Sequence, residues 1–401
     1  MIAMSYLQVS KSLTLPCGVT VKNRFVKTAL SETMATDQHR SDARYEKLYR
    51  QWAMGGAGIV ITGNVMVDRA AIAEPGNVVV DDERELPELQ RWAQNGTLNQ
   101  TQLWLQLNHP GRQSPKQFSA RPVGPSAVPI TGVNHRAFNP PRALTIDEIK
   151  ELVTKFVRSA VIAQKAGFTG VQLHGAFGYL INQFLSKKTN RRTDEYGGSL
   201  ENRMRFLIEV YQGIREACGK AFPISLKLSL TDIDLAGFTE KTLTRVAKRM
   251  ADLGIDMIEI AGDDYENSQI GFSGHAHLIN RLVDVPIALS GGFRHISAME
   301  EALGRQDADL IGICTPMAVM PDMPNRILNS TYRPVKLPLS TGSSKLDDKL
   351  KTLIMTSYCE EQVHRLAEGK PPKIYRNAWR SVLAEARLHG LNGLKPRRAQ
   401  S

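Results

Sequence analysis

Cysteines and long apolar runs are scarce in this sequence. Its four cysteines, Cys17, Cys218, Cys314 and Cys359, are scattered and show no CxxC spacing, so neither a disulfide framework nor a zinc site is indicated. No apolar run approaches the roughly 18 residues of a membrane span. The first residues also lack the apolar centre and cleavage site of a secretory signal. We therefore expect a soluble cytoplasmic protein without a membrane partner.

Positive charge is in excess, but it is not clustered. The net charge is +11, yet Lys and Arg are dispersed, and there is no basic helix or basic stripe interleaved with aromatics. Nucleic acid is therefore not the expected partner, whereas an anionic cofactor or small-molecule substrate would be attracted. The basic cluster near Lys395 is interpreted as a solvated tail.

Short apolar segments alternate with helix-length amphipathic stretches along most of the chain. Alternation of this kind is typical of parallel strands joined by crossover helices, and eight such strands favour a closed (β/α)8 TIM barrel over an open doubly wound sheet. The helix at 145–167, for example, has capping-box residues Thr145 and Glu148 and a terminal Gly167. The predicted strands end at Leu30, Gly63, Asn108, His174, Ser229, Gly262, Gly292 and Ile313.

Two stretches interrupt this alternation. Residues 109–142 contain seven prolines and no periodicity. We expect this long insertion after the third strand to be functional, because it starts on the face where barrel enzymes keep their active sites. Residues 332–346 resemble a linker and precede a helix predicted from about Asp347 to Gly369. We therefore predict an α/β barrel at 1–335, followed at 336–401 by a linker and a C-terminal helical extension that packs on the barrel.

Polar side chains occur near the C-terminal ends of several predicted strands. Gln106, Gln172, His174 and Lys227 each lie in an apolar strand. A buried donor without a partner costs about 1–3 kcal/mol, so these groups need a shared polar ligand or neutralising side chains. We expect a flat heterocycle with ring nitrogens and carbonyls across the barrel mouth to satisfy them.

A Gly-Gly turn follows the seventh predicted strand. Ser290, Gly291 and Gly292 lead from the strand into a helix, which would present backbone N–H groups and the positive end of a helix dipole. After this strand of a barrel, such a turn is typical of phosphate binding.

Five motifs resemble those of one enzyme family in order and content. They are "NRFVKTALSE", "GGAGIVITGNVMVD", "LWLQLNHPGRQSP", "GFTGVQLHGAFGYLINQFLSKKTNRRTDEYGGSLENR" and "SGGFR", and the resemblance extends over roughly Leu7 to Ile327. The chain is similar to the Old Yellow Enzyme family of FMN-dependent NAD(P)H oxidoreductases. This resemblance implies a barrel that binds FMN at the C-terminal strand ends and takes hydride from NADH or NADPH.

The resemblance also implies which residues bind the flavin. Gln106 would read the pyrimidine edge, and Lys227 would stabilise the anionic reduced flavin beside N1 and O2. Ser31 stands where the family has a Thr or Cys that bonds near C4=O and N5. The implied cofactor-binding set is Ala29, Leu30, Ser31, Asn64, Gln106, His174, Lys227, Gly291, Gly292 and Thr315.

The implied catalytic residues include one departure. In the family, hydride passes to the β-carbon of an alkene conjugated to a carbonyl or nitro group. Two polar side chains at HxxH or HxxN spacing polarise that group, and a nearby Tyr donates a proton. His174 and Tyr179 match the first polar residue and the Tyr, but Phe177 stands in the second polar position. Either a donor is lost, or Phe177 shapes the pocket for an aromatic or apolar substrate.

A second departure concerns the phosphate. Cys314 and Thr315 stand where the family usually has Gly and Arg, so the FMN phosphate would depend more on backbone groups, Arg294 or the Thr315 hydroxyl. Together the departures leave open a flavin-binding barrel with altered or lost ene-reductase activity. No cysteine cluster or dinucleotide-binding glycine motif follows the barrel, as a larger iron–sulfur relative would need.

A metal-dependent hydrolase barrel is a weaker alternative. It would draw on scattered histidines and an aspartate pair, but these lack ligand spacing on strand ends, and we expect no metal. The sequence does not decide the substrate, the preference between NADH and NADPH, or whether the chain forms a homo-oligomer. The residues considered for the metal are His109, His174, His275, His277, Asp263 and Asp264.

Overall fold

The eight predicted strands form one closed parallel barrel, in chain order. A computed structural model describes residues 7–132, 134–230, 239–262, 265–266, 271–390 and 394. The (β/α)8 TIM barrel is confirmed. The strands are β1 (Phe25–Lys27), β2 (Ile59–Met66), β3 (Gln102–Asn108), β4 (Gly170–His174), β5 (Ile224–Ser229), β6 (Met257–Ala261), β7 (Ile287–Ser290) and β8 (Leu310–Ile313).

Helices surround the barrel, and one of them begins with the capping box that the sequence predicts. In this helix, α3 (Ile146–Ala166), the Thr145 hydroxyl accepts from the Glu148 N–H, the Glu148 carboxylate accepts from the Thr145 N–H, and Gly167 ends the helix at φ 93°. The helices are α1 (Ala43–Met54), α2 (Leu86–Gly96), α3 (Ile146–Ala166), α4 (Leu180–Leu185), α5 (Leu200–Cys218), α6 (Glu240–Asp252), α7 (Gly271–Leu282), α8 (Ile296–Gly304), α9 (Thr315–Val319), α10 (Met323–Leu328), α11 (Ser344–Ala367) and α12 (Ala378–His389). Within the described ranges, none is long and apolar enough to cross a membrane.

Apolar side chains close the N-terminal end of the barrel. A short antiparallel pair, Leu13–Thr14 and Thr20–Val21, lies there, and its neighbour Leu15 packs with residues at strand starts such as Ile59 and Met257. The C-terminal ends of the strands carry the polar residues instead. The barrel therefore offers a polar site at the end where TIM-barrel enzymes keep their chemistry.

Side-chain hydrogen bonds join parts of the proline-rich insertion to each other and to α4. The Arg112 guanidinium donates to the carbonyls of Val128 and Pro129, and Gln183 of α4 donates to the Pro110 carbonyl at 3.0 Å. Apart from residue 133, which lies outside the described ranges, the insertion has only short 3-10 turns and two-residue strands. Its functional role stays a prediction.

Two C-terminal helices pack beside the strand ends. The predicted helix from about Asp347 to Gly369 is observed as α11 at Ser344–Ala367, while α12 was not predicted as a separate element. Helix α11 contacts α1 and α9, and it buries Tyr358, Val363 and Leu366. Its His364 Nε2 lies 2.9 Å from the Glu32 carbonyl oxygen, which ties α11 to the loop after β1. The division into two domains stays a prediction.

Stability should fall in acid because His364 is held neutral. Burial lowers the pKa of His364 to about 4. Between about pH 6.5 and pH 4, the imidazole is therefore protonated in the unfolded chain but neutral in the folded protein. Between pH 7.5 and 5.0, this one residue should remove about 2 kcal/mol of unfolding free energy. His364→Gln, which cannot titrate but can still donate to the Glu32 carbonyl, should lose correspondingly less in urea unfolding.

The control for this prediction is His135→Gln, because His135 is exposed. That variant should follow the wild-type pH dependence. An equal loss of stability in wild type and His364→Gln would contradict the prediction.

Candidate active site

A cavity of about 280 Å³ opens at the C-terminal ends of the barrel strands. Most of the predicted site residues border it, whereas Tyr179 and Gly292 do not. The predicted site residues that line the cavity are Ala29, Leu30, Ser31, Asn64, Gln106, His174, Phe177, Lys227, Gly291 and Thr315. The strand order thus brings together residues that are almost 290 positions apart in the chain, because all eight strands end on one face.

His174 is the last residue of β4 and is 4% exposed. The backbone N–H of Ala176 donates to its Nδ1 at 3.4 Å. An Nδ1 that accepts leaves the proton of a neutral ring on Nε2. His174 thus borders the cavity, and Nε2 is the donor atom of its neutral ring.

Phe177 lies in a strained turn beside His174. Its φ is 57°, a left-handed conformation that bulky residues rarely adopt, and Gln113 Nε2 donates to its carbonyl at 2.7 Å. The ring centroids of Phe177 and His174 are 5.9 Å apart, and the Lys227 ammonium lies 5.6 Å from the Phe177 centroid. An aromatic face, rather than a second donor, thus borders the cavity next to His174.

Tyr179 lies behind His174 rather than in the cavity wall. It is 1% exposed and packs with Met66, Ile72 and Val79. Its ring meets the His174 ring edge-on, with 4.9 Å between centroids. The structure therefore places Tyr179 next to the site without bringing it to the cavity, and its role as proton donor stays a prediction.

A chain of hydrogen bonds joins the polar strand residues. Gln106 Nε2 donates to Gln172 Oε1 at 2.7 Å, and Gln172 Nε2 donates to Glu259 Oε2 at 2.9 Å. Lys227 Nζ and Ser290 Oγ both donate to Glu259 Oε1, at 2.8 and 2.7 Å. Of the two alternatives that the sequence left open for Gln106 and Lys227, a shared ligand or neutralising side chains, the structure shows the second, because Gln172 and Glu259 pair with them.

Asn64 has a buried amide N–H without a partner in the described part of the chain and borders the cavity. Its Oδ1 accepts from Asn77 Nδ2 at 3.2 Å, but its buried Nδ2 has no hydrogen-bond partner among the described residues. A buried amide N–H without a partner is costly. Since Asn64 borders the cavity, an acceptor such as a ring carbonyl would satisfy it.

Ser31 differs from the expected donor toward the flavin. Its hydroxyl donates to Glu74 Oε1 at 2.5 Å, so the hydroxyl hydrogen points to Glu74. In this arrangement the Ser31 oxygen can only accept from a ligand. Glu74 is a neighbour of the site that the sequence did not indicate.

The expected phosphate site is only partly present. Gly291 borders the cavity, and both glycines have positive φ, 148° at Gly291 and 74° at Gly292. The N–H groups of Arg294 and His295, at the start of α8, donate to the Glu266 carboxylate at 2.5 and 2.6 Å, and are therefore not presented to a phosphate as expected.

No arginine in the described ranges borders the cavity. The Arg294 guanidinium donates to the Gly292 carbonyl at 3.0 Å, which supports the turn rather than the cavity. Only Lys227 among the described cavity residues carries a positive charge, and Glu259 already pairs with it. A phosphate here would depend on backbone groups and the Thr315 hydroxyl.

Helix α11 forms one wall of the cavity, which the sequence did not reveal. Met355, Thr356, Cys359 and Glu360 line it, together with Cys314 at the end of β8. Burial raises the pKa of both thiols. Burial therefore favours the protonated thiol form of both cysteines.

The metal alternative gains no support from the predicted histidines. His174 lies in the cavity and His277 pairs with Asp307 at 3.1 Å, while Asp263, Asp264 and the His275 side chain lie outside what the structure describes. One set in the described chain has metal-ligand spacing: ligand atoms of Glu360, Glu385 and His389 lie within 4.8 Å of one another. This set lies between α11 and α12, so helix packing, and not a sequence motif, creates it.

Comparison with known proteins gives the same assignment. The sequence profile of the NADH:flavin oxidoreductase / NADH oxidase family matches residues 13–333. The chain belongs to this family. Its resemblance to the Old Yellow Enzyme is confirmed by the old yellow enzyme homologue from Zymomonas mobilis, with a TM-score of 0.74, 27% identity, and coverage of 82% of this chain and 94% of that one.

Two fungal family members are also similar. The NADH-dependent flavin oxidoreductase iliE of Neonectria sp. (strain DH2) is 37% identical over 361 residues, which cover 80% of this chain. The chain spans about half, 47%, of that relative's length. The NADH-dependent flavin oxidoreductase iccE of Talaromyces variabilis is 35% identical, with coverage of 81% of this chain and 87% of the relative.

As a family member, the chain is an oxidoreductase that uses FMN with NADH or NADPH. The cavity fits the isoalloxazine, because Asn64 offers an unsatisfied donor and Gln106 and Lys227 border the same space. At the phosphate end the fit depends on Thr315 and backbone groups. The sequence had indicated this weakness through the missing arginine.

Adding the arginine should tighten FMN binding. Thr315→Arg would provide a charge-assisted hydrogen bond to the phosphate, which should lower the FMN dissociation constant about tenfold or more. Quenching of flavin fluorescence on titration with apoprotein would measure it. Thr315→Met is the matched control for side-chain length, and riboflavin, which lacks the phosphate, should show no gain. Equal gains for FMN and riboflavin would contradict this account.

Proposed function

We propose that the protein reduces an electron-poor alkene, such as an enone or nitroalkene, or a related small molecule. NADH or NADPH would be the hydride source, and bound FMN would supply the hydride-transfer chemistry. The observation that carries the proposal is the meeting of His174 and Lys227, register partners on β4 and β5, at one cavity on the active face of the barrel. An imidazole donor for substrate and a cation for a reduced cofactor are then side by side.

His174 would act on the substrate oxygen. Its Nε2–H is the ring donor, because Nδ1 accepts from the Ala176 N–H. A donor aimed at the oxygen where negative charge develops lowers the barrier to hydride addition at the β-carbon. Tyr179 is the proposed proton donor, and this role needs a shift of the turn at 175–178 when substrate binds, because Tyr179 is buried.

Phe177 would select the substrate. With one polar donor and one aromatic face at the carbonyl end, the cavity suits a substrate with an aromatic or apolar group beside its carbonyl. The same residue supports the second candidate function, a flavin-binding barrel with altered or lost ene-reductase activity, since a missing donor weakens carbonyl activation.

Two measurements separate these candidates. Purified holoenzyme should be yellow, and its flavin absorbance should bleach when NADH or NADPH is added without oxygen. A panel of enones and nitroalkenes should then restore the colour. Bleaching followed by recovery supports the reductase, whereas a yellow protein that NADH and NADPH leave unbleached would favour the binding role. The names of the fungal relatives give the reason to try NADH first.

A further inference from the structure

Glu259 is a fully buried carboxylate at the centre of the barrel's polar network. It lies on β6 with 0% exposure, opposite Lys227 in the β5–β6 register. Three side chains donate to it: Lys227 and Ser290 to Oε1, and Gln172 to Oε2. These bonds come from β4, β5 and β7, so the carboxylate is held on several sides.

The first consequence concerns charge. A buried carboxylate is tolerated only when a paired cation and hydrogen bonds repay its desolvation, and the Lys227 ammonium is 2.8 Å away. A ligand in the cavity then meets the field of a Lys227–Glu259 dipole and not that of an unpaired ammonium. Lys227 is the only cation that borders the cavity among the described residues, so Glu259 cancels most of the positive field that a ligand there would meet.

The second consequence concerns hydrogen-bond polarity. An ionised carboxylate can only accept, so Gln172 must point its amide nitrogen at Glu259. Its oxygen is then left to accept from Gln106 Nε2, at 2.7 Å. Gln106 is left with its carbonyl oxygen and one N–H for a cavity ligand. Glu259 thus fixes, through Gln172, which atoms Gln106 presents.

We propose that Glu259 is a positioning residue that lowers the reduction potential of the bound flavin. It does so by pairing with Lys227, which would otherwise stabilise the anionic reduced flavin as a net cation. The inference rests on the proposed binding of FMN with Lys227 beside its N1 and O2. It adds to that function a residue that sets how readily the flavin gives up hydride.

The test is the midpoint potential of Glu259→Gln, measured by dye-coupled anaerobic reduction of the flavin-loaded protein. Gln keeps the shape and removes the charge, so Lys227 becomes a net cation. The ratio of reduced to oxidised flavin at a fixed potential should rise about tenfold or more, which is about 30 mV for a two-electron couple. An unchanged or lowered potential in folded, yellow protein would overturn the proposal.

A charge-balance cycle makes the test independent of one variant's folding. Lys227→Gln leaves the carboxylate and should lower the potential, while the Lys227→Gln/Glu259→Gln double variant carries neither charge and should return toward wild type. If Glu259→Gln does not fold, the proposal is still tested by whether the potential of the double variant is higher than that of Lys227→Gln. No recovery would overturn the proposal.

Asp256→Asn is the matched control. Asp256 is another buried carboxylate, directly before β6 at the opposite end of the barrel, and it pairs with Arg215 at 2.6 Å. Its loss should leave the potential unchanged, and an equal shift in both carboxylate variants would count against a specific role for Glu259. Dye reduction needs neither nicotinamide nor alkene. A shifted potential in a protein that no alkene reoxidises would therefore disprove the proposed function alone.

Discussion

Replacing Phe177 with Asn is expected to raise the rate of enone reduction by about 100-fold, because a second preorganised donor to a developing oxyanion contributes on this scale. Asn also tolerates the left-handed backbone that Phe177 adopts at φ 57°. The variant should therefore be more stable by about 1 kcal/mol. Stopped-flow reoxidation of the reduced holoenzyme by 2-cyclohexenone, together with urea unfolding, would measure both effects.

Phe177→Leu is the control for this gain. Leu opens space in the cavity but adds no donor and keeps the backbone strain. If Leu and Asn raise the rate equally, the effect is one of volume, and Phe177 shapes the pocket without replacing a donor. Phe177→His tests the other family pattern, HxxH, and should raise the rate of enone reduction as Phe177→Asn does.

Removing the His174 imidazole is expected to slow alkene reduction by about 100-fold to 1000-fold, because its Nε2–H is the donor proposed for the substrate oxygen. Bleaching of the flavin by NADH should change far less in His174→Ala, because that step involves no substrate carbonyl. Comparing the two half-reactions by stopped flow would separate these effects.

His174→Asn is the matched variant, since its amide can still donate. It should recover part of the rate that His174→Ala loses. A His174→Ala protein that reduces enones at the wild-type rate would show that another group activates the carbonyl. In that case the meeting of His174 and Lys227 would no longer support the proposed reaction.

The strands were predictable because each is a short apolar run followed by turn residues. Their limits were harder to place. The first was expected to end at Leu30, but its ladder stops at Lys27, and Ala29 and Leu30 border the cavity instead. The second was expected to end at Gly63, yet β2 continues to Met66 past a register shift between Ile61 and Asn64. A glycine within a strand can mark an irregularity as well as an end.

The residues that border the site were predictable, but their partners were not. Lys227 and Gln106 could be placed near strand ends from alternation alone. The pairing of Lys227 with Glu259 depends on the register of two strands that are 32 residues apart at that point, which no local pattern reveals. "MIEIA" did carry a signal, a carboxylate in an otherwise apolar strand. The α11 wall gave no such signal, because a helical pattern in the sequence does not show which surface the helix will cover.

The position of α11 also bears on how the holoenzyme matures. Met355, Thr356, Cys359 and Glu360 line the cavity, yet they are made only after β8 and the rest of the barrel have left the peptidyl-transferase centre. A nascent chain that has already paired all eight strands still lacks this wall. We therefore expect capture of the prosthetic group to be a late event that follows docking of the C-terminal segment.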